Sequence, residues 1–164
     1  FSIAQDWQLT LGGRYTYEEK TFEGASGGWD SQILGEGFIP AGPTRNLKDD
    51  WQEFSPRIAL QYYVSDDMMT FASYSNGFKS GGFFARTQHV AAINSFDPEY
   101  VDTFEVGMKS EWMDNRVRFN ATAFMTDYTD KQEEVLVPEG NGQVNTIVTN
   151  AGEVEISGNS WICE

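Results

Sequence analysis

The sequence predicts an all-β fold, a sector of about six antiparallel strands from an up-and-down transmembrane β-barrel with long external loops and short periplasmic turns. Polar and apolar residues alternate over runs of roughly 9 to 11 residues, which is the length that a tilted strand needs to cross a bilayer. Long connections that contain Gly and Pro also alternate with turns of about three residues. Up-and-down strands collect their long connections at one end of a barrel and their short turns at the other.

Composition alone would suggest one acidic, water-soluble domain, since the 164 residues have a net charge of -14 and a mean hydropathy of -0.47. That average is misleading for a barrel, in which each strand has one polar side. No run approaches the roughly 18 apolar residues of a spanning helix, and the N-terminus does not resemble a secretion signal. We expect no nucleic-acid partner, because phosphate binding needs clustered Lys and Arg. Cys163 is the single cysteine, so an internal disulfide is impossible.

The first strand shows the clearest alternation. One parity of this strand contains Trp7, Leu9, Leu11, Gly13, Tyr15 and Tyr17, and the other is mostly polar. Aromatic side chains lie near both ends with aliphatic ones between them, as in the aromatic girdles of membrane barrels. A sandwich strand with one wet face would also alternate. From Glu19 to about Asp50 the alternation disappears, which predicts a Gly-rich loop of about 30 residues, and such length usually indicates function or disorder.

The second and third strands are predicted at about 51–64 and 68–78, joined by a turn at Ser65–Asp67. Pro56 has no N–H to donate to a ladder, so we expect it near the loop-side end of the second strand or at a bulge. Apolar residues occupy both parities of the third strand, and no outward face is assigned to it.

A second long connection, 79–99, precedes the hairpin on which the prediction depends most. Its strands run through Phe104–Trp112 and Val117–Met125 around a turn at 113–115. A third loop is expected at 130–145, followed by a sixth strand that starts near Thr146 and continues through Ile156.

Charges agree with one parity facing lipid and the other facing a watery lumen. Lys or Arg on the lipid side near the midplane would cost about 2–4 kcal/mol. The predicted lumen parity contains Arg57, Glu105, Lys109 and Arg118. Six strands are too few to close, because a membrane barrel needs at least about eight. The chain is therefore expected to be a sector with two open edges.

Several ordered segments resemble the C-terminal half of the barrel in TonB-dependent outer-membrane receptors. They are SYSNGFKSGGF (73–83), the segment 96–132, and TNAGEVEISG (149–158), with 9–20 and 54–75 similar to the preceding strands. The resemblance implies a barrel in the bacterial outer membrane, filled by an N-terminal plug domain. It further implies a transporter rather than an enzyme, which imports ferric siderophores or similar scarce nutrients with energy from the TonB complex. Its implied partners are outer-membrane lipid, the siderophore, and the TonB complex through the plug and TonB box.

Some features of that family are missing from the sequence. We interpret 1–164 as a partial receptor barrel that lacks the plug, the TonB box and the remaining strands. The family usually continues after Gly158 with Glu at alternate positions, whereas this chain continues NSWICE. Residues 159–164 are therefore expected to be a non-native tail.

Candidate ligand contacts lie on the predicted outer loops, where stacking and positive charge would suit an anionic or catecholate ligand. They are Trp29, Arg45, Phe83, Phe84, Arg86 and His89. Packing within the loops is the alternative role for any one of them. No catalytic set and no cofactor are predicted, and the single histidine supports no zinc site. The acidic cluster Asp127, Asp130, Glu133 and Glu134 could bind calcium, although a solvated acidic rim is the simpler interpretation.

A second class of function stays open at this point. A soluble antiparallel β-sandwich that binds a ligand such as a carbohydrate would also show alternating strands. Dependence on lipid or detergent separates the two classes, because a sandwich module is clear and monomeric in plain buffer.

Overall fold

The computed structural model describes residues 2–24, 28–30, 37–39, 45–84, 95–114, 116–138 and 144–164. The strands are β1 (Ser2–Ala4), β2 (Trp7–Gly24), β3 (Gly28–Asp30), β4 (Gly37–Ile39), β5 (Arg45–Ser65), β6 (Met68–Lys79), β7 (Gly82–Phe83), β8 (Ser95–Phe96), β9 (Glu99–Trp112), β10 (Val117–Thr129), β11 (Gln132–Pro138), β12 (Val144–Asn150) and β13 (Val154–Cys163). A seven-stranded sheet has the order β1-β2-β5-β6-β9-β10-β13, and β3-β4, β7-β8 and β11-β12 form separate pairs. All neighbours in the large sheet are antiparallel. The up-and-down prediction is therefore confirmed.

One face of the large sheet, the apolar face, is exposed along its whole width. Leu11 is opposite Ile58, Ile58 opposite Tyr74, Tyr74 opposite Phe104 and Phe104 opposite Met125. The exposed fraction is 57% for Leu11 and 50% for Phe104. Because a soluble sheet buries such a row against another layer, this exposure fits a face that contacts lipid.

The opposite face, the polar face, contains the charges that the sequence places toward the lumen. Arg57 is opposite Gly12 and Ser75. Lys109 pairs with Asn120, and Arg118 pairs with Glu111 across the hairpin. The register of the strands thus confirms the parity assigned to these charges.

The register also gives β6 the facing that its own sequence leaves open. Ala72 and Tyr74 are opposite Leu60 and Ile58 on the apolar face. Met69 and Phe71 consequently lie on the polar face. Pairing with its two neighbours decides which side chains of this central strand lie on the apolar face. The sequence of β6 alone does not show this, because apolar residues occupy both of its parities.

Aromatic residues on the polar face lie over glycines of the next strand. A Cβ built on Gly107 would be 2.5 Å from the Phe71 ring, and one built on Gly158 would be 2.9 Å from the Phe124 ring. Such pairs fill the gap that a missing side chain leaves in a sheet. They explain how Phe124 interrupts the polar parity of β10 without facing lipid.

The first long connection is shorter than predicted, because β2 and β5 continue as a paired ribbon. Their register extends from Trp7 opposite Tyr62 to Gly24 opposite Arg45. The sequence prediction of a loop over 19–50 is wrong at both ends. In β2 the side chains of this ribbon alternate between exposed and half-buried, but polar residues occupy both parities, so no apolar parity marks the strands.

Pro56 was expected near a strand end or at a bulge, and it lies instead in the middle of β5, opposite Gly13. The ladder between β5 and β6 begins at Arg57, which is opposite Ser75. Pro56 is thus the first residue of β5 beyond that ladder, where one missing donor disturbs a single neighbour rather than two.

Both predicted short turns are present. Asp66 and Asp67 form the turn between β5 and β6, and Ser65 Oγ accepts a hydrogen bond from the Asp67 N–H at 3.3 Å. In the hairpin, Met113 and Asp114 have φ of 56° and 55°. Aspartate tolerates this left-handed region, whereas methionine is strained there.

The third predicted loop, 130–145, is wrong, because its ends form the hairpin β11–β12 with a register from Gln132 opposite Asn150 to Pro138 opposite Val144. The sixth long strand begins at Val154 rather than near Thr146. Gly152, with φ of 99°, lies between the two, in a conformation that L side chains rarely adopt. Beyond 158, β13 stays paired with β10, as far as Cys163 opposite Phe119.

The sandwich alternative is wrong for this fold. In the described ranges no second sheet covers the apolar face, on which Tyr15 and Phe54 are 64% and 60% exposed. Within those same ranges, no helix has the length and apolar character to cross a membrane.

Candidate ligand-binding face

The base of the second long connection is anchored to the polar face by Lys20. Its Nζ donates to Ser80 Oγ and to the Gly81 carbonyl oxygen, both at 2.7 Å. The same ammonium lies 5.4 Å from the centroid of the Trp51 ring, a cation–π distance. We call Lys20, Trp51, Ser80 and Gly81 the loop-base cluster.

Glu18 supplies the negative charge that pairs with Lys20 in the loop-base cluster. Its carboxylate lies 3.2 Å from Lys20 Nζ. A hydrogen bond from the Ser80 hydroxyl, followed by the contact with Lys20, lowers the pKa of Glu18. Ser80 is 8% exposed, and its hydroxyl can accept from Lys20 while it donates to the carboxylate.

Glycines allow the chain to approach this closely. A Cβ on Gly81 would lie 2.8 Å from the Trp51 ring, and one on Gly82 would lie 2.9 Å from the Phe96 ring. Real Cβ atoms do not reach such distances, so a larger residue at Gly81 would push the connection away from Trp51 on the sheet, and one at Gly82 would displace the Phe96 ring. Ser80, Gly81 and Gly82 are accordingly buried.

Two amide side chains tie the second connection to the β11–β12 hairpin. Gln132 Nε2 donates to the carbonyl oxygens of Ser80 and Asp97, each at 3.0 Å. Asn150 Nδ2 donates to Asp97 O at 2.9 Å and to Asp130 O at 2.8 Å, and Asn150 Oδ1 accepts from the Asp97 N–H at 2.9 Å. The bases of the two connections therefore form one fixed platform.

A cavity on the polar face opens below the loop-base cluster. Its lining includes Arg14, Arg57, Ser75, Gly77 and Lys79. Because the ladder between β5 and β6 ends at Arg57 and Ser75, the strands are not paired above this level. Positive charge predominates in this cavity, although the chain as a whole is acidic.

The six predicted ligand contacts are distributed over the first two long connections. Phe83 belongs to β7, opposite Ser95, and both it and Phe84 are half-buried. The backbones of Trp29 and Arg45 pair with Phe38 and Gly24. The other two predicted ligand contacts, Arg86 and His89, lie outside the described residues.

The acidic cluster at the end of β10 does not converge on a metal site. Glu133 contacts Lys131, and this hydrogen bond raises the pKa of the Lys131 ammonium. Among the residues with described positions, no group of three or more His, Cys, Asp and Glu could hold a metal ion.

Sequence reasoning missed the loop-base cluster and the two amide ties. The Lys20–Ser80 and Asn150–Asp97 contacts join residues 60 and 53 positions apart, and no local pattern signals them. Arg14 and Arg57 were detectable, since both fall on the polar parity of strands that pair.

Comparison with known proteins agrees with this architecture. The family described as TonB dependent receptor-like, beta-barrel matches residues 1–159. The ferric yersiniabactin uptake receptor FyuA from Yersinia pestis is similar in structure, with a TM-score of 0.72 at 17% identity over 98% of this chain. The ferric-catecholate import receptor Fiu from E. coli K12 has a TM-score of 0.65 at 16% identity over 99%. The alcaligin outer membrane receptor FauA from Bordetella pertussis has a TM-score of 0.60 at 15% identity over 99% of this chain.

The three solved receptors are much longer than this chain, which spans 22%, 23% and 25% of them. Identities this low support a shared fold and nothing finer. The family match extends over nearly the whole sequence and agrees with the six long strands, their antiparallel order and their opposed faces. The chain therefore belongs to the TonB-dependent receptor β-barrel family.

Proposed function

We propose that the chain forms one sector of the barrel wall of an outer-membrane receptor, which imports ferric siderophores or similar scarce nutrients with energy from TonB. The observation that carries this proposal is the opposed polarity of the two faces of a single sheet. Leu11 and Val106 are 57% and 58% exposed on one face, while Arg57 and Lys109 lie on the other. Such a sheet is stable only between hydrocarbon and water.

Three partners follow from this proposal. The apolar face contacts outer-membrane lipid, and the polar face and outer connections contact a siderophore or comparable small ligand. TonB acts through the plug and TonB box of the receptor. The chain's own role is to build the wall and to position the loops, without catalysis. FyuA and Fiu, whose names record ferric yersiniabactin and ferric-catecholate uptake, support the choice of cargo.

Uptake by the complete receptor that carries this segment tests the proposal. Cells that express it are supplied with a panel of ⁵⁵Fe-loaded catecholate and hydroxamate siderophores, with and without functional TonB. We expect TonB-dependent accumulation of at least one complex, and the purified protein should migrate as a heat-modifiable barrel in detergent. A protein that is soluble and monodisperse without detergent would contradict the proposal.

The outer-loop residues form a second, finer part of the proposal. We expect Trp29, Arg45, Phe83, Phe84, Arg86 and His89 to contribute stacking and positive charge to an anionic or catecholate ligand. Phe83 and Phe84 lie beside the loop-base cluster in sequence, which fixes where their connection begins. Single alanine variants in the complete receptor, followed by binding of the siderophore identified above, test each residue. Unchanged affinity for all six would remove this part.

A further inference from the structure

Two arginines of the polar face are neighbours on paired strands. Gly12 is opposite Arg57, and Arg14 is opposite Ser55, so the two arginines are diagonal partners with Cβ atoms roughly 7–8 Å apart. Both line the cavity below the loop-base cluster. At that separation two long guanidinium side chains can reach one small group between them.

Small residues surround this arginine pair. A Cβ on Gly12 would make only an ordinary contact, 3.7 Å from the Arg57 Cβ. Ser75 is the partner of Arg57 on the other side, and Ser55 is the partner of Arg14. Among the described residues, these small neighbours leave the space beside the two guanidinium groups open as part of the cavity.

Within the described ranges, neither Arg14 nor Arg57 has an acidic partner. In the described part of the chain, the ion pairs within 4.0 Å involve Lys20, Lys48, Arg118 and Lys131, and not Arg14 or Arg57. Arg118 illustrates the usual arrangement, with its Nη2 2.8 Å from Glu111. Glu18, the carboxylate that lines the same cavity, is already bound by Lys20.

The concentration of charge is unusual for this chain. Its 11 Lys and Arg face 25 Asp and Glu overall, yet the cavity lining contains Arg14, Lys20, Arg57 and Lys79 against Glu18 alone. A guanidinium presents a planar fork of N–H donors that matches the two oxygens of a carboxylate or phosphate. Two such forks over one open space form a site for an oxyanion.

We propose that Arg14 and Arg57 bind a carboxylate or phosphate group on the inner wall of the barrel. The group belongs either to a free small anion or to an acidic segment of the complete receptor outside residues 1–164. This inference rests on the proposed function in one respect, that the polar face lines the interior of the barrel. It adds a ligand chemistry and two residues that lie in the wall rather than in the outer loops.

Titration calorimetry on the complete receptor in detergent, at low ionic strength, tests the site with citrate as the probe. The test variant is R14Q/R57Q, and the matched control is K48Q, because Lys48 makes an exposed ion pair with Glu19 outside the cavity. We expect citrate affinity to fall at least about tenfold in the double variant and to stay unchanged in the control. The variant R14K/R57K keeps the charge without the fork and should bind with intermediate affinity.

The second source of the anion gives a different result. If an internal acidic segment occupies the arginine pair, citrate does not bind to the parent, and R14Q/R57Q lowers the unfolding temperature while K48Q does not. The inference is overturned if citrate binds parent and double variant equally, or if it binds neither and their unfolding temperatures agree. Heat-modifiable migration confirms that each variant is folded. Because no transport step is measured, failure here is distinguishable from failure of TonB-dependent uptake.

Discussion

Single glycines set the tolerance of the polar face to substitution. Gly107 in β9 and Gly12 in β2 both lie on the polar face. A Cβ on Gly107 would be 2.6 Å from the Ala121 carbonyl oxygen and 2.5 Å from the Phe71 ring, whereas Gly12 has room. A ring can move, but a backbone oxygen within the β9–β10 ladder cannot move without disturbing the ladder.

We therefore expect Gly107→Ala to lower the free energy of unfolding by about 1–3 kcal/mol, as overpacking typically does. Gly12→Ala is the control and should be neutral or stabilising by up to about 1 kcal/mol. Urea unfolding of the complete barrel in lipid vesicles measures both. Adding Phe71→Ala to Gly107→Ala should restore only part of the loss, since the contact with the carbonyl oxygen persists. Equal effects of the two glycine substitutions would contradict the argument.

The hairpin turn allows a test in the stabilising direction. Met113 has φ of 56° and is 70% exposed, so its side chain contributes little packing while its backbone is strained. Left-handed conformation costs an L residue about 1–2 kcal/mol, and glycine loses about 0.5–1 kcal/mol more chain entropy on folding. Met113→Gly should thus stabilise by up to about 1 kcal/mol in the same unfolding assay. Asp114→Gly, at the same φ, should change little, and a loss of stability in Met113→Gly would be evidence against strain.

The face on which a residue lies could be predicted from the sequence wherever a strand shows a clear period of two. The facing of Leu11, Val106 and Arg57 follows from alternation within each strand. The loop-base cluster does not follow, because Lys20 meets Ser80 only after β2, β5 and β6 have paired.

At the scale of elements, the strands were predictable only where they separate lipid from water. The alternation is strong in β9 and β10, and it fades in the upper halves of β2 and β5, where polar residues occupy both parities. The β11–β12 hairpin was missed for a similar reason, since Pro138 and the nearby glycines dominate its sequence signal.

The platform formed by Gln132 and Asn150 predicts coupled motion of two connections. Asn150 makes three hydrogen bonds to Asp97 and Asp130, each of which contributes about 0.5–1.5 kcal/mol. Asn150→Ala should therefore accelerate amide hydrogen exchange roughly tenfold or more at both 95–99 and 130–134. Glu134→Gln, at an exposed position of the same hairpin, is the control and should leave exchange unchanged. Faster exchange on one side alone would show that the two connections are not tied together.

On the scale of the whole molecule, the sheet acts as a boundary between two solvents. Leu11 lies midway between the aromatic residues Trp7 and Tyr15, and its neighbour Thr10 belongs to the polar face. Adjacent positions of one strand thus sample lipid and water at the same depth.

Leu11→Lys should lower the stability of the barrel by about 2–4 kcal/mol, because a cation near the bilayer midplane loses its hydration. Thr10→Lys adds the same charge one residue away and should cost less than about 0.5 kcal/mol, as a surface substitution does. Unfolding titrations in lipid vesicles compare the two variants with the parent. Similar losses at both positions would mean that the faces do not meet different environments.

The β2–β5 ribbon gives this wall an uneven height. Above Pro56, β5 continues for the residues Arg45–Ser55 without β6 paired to it, a distance of about 35 Å at the usual rise of a strand, and the loop-base cluster contacts this ribbon at Trp51. A ribbon of that length would extend beyond the membrane surface, within reach of antibodies, phages and proteases that do not contact the membrane-embedded strands. Brief protease treatment of intact cells should cleave the tip of the ribbon first and leave the membrane-embedded barrel intact.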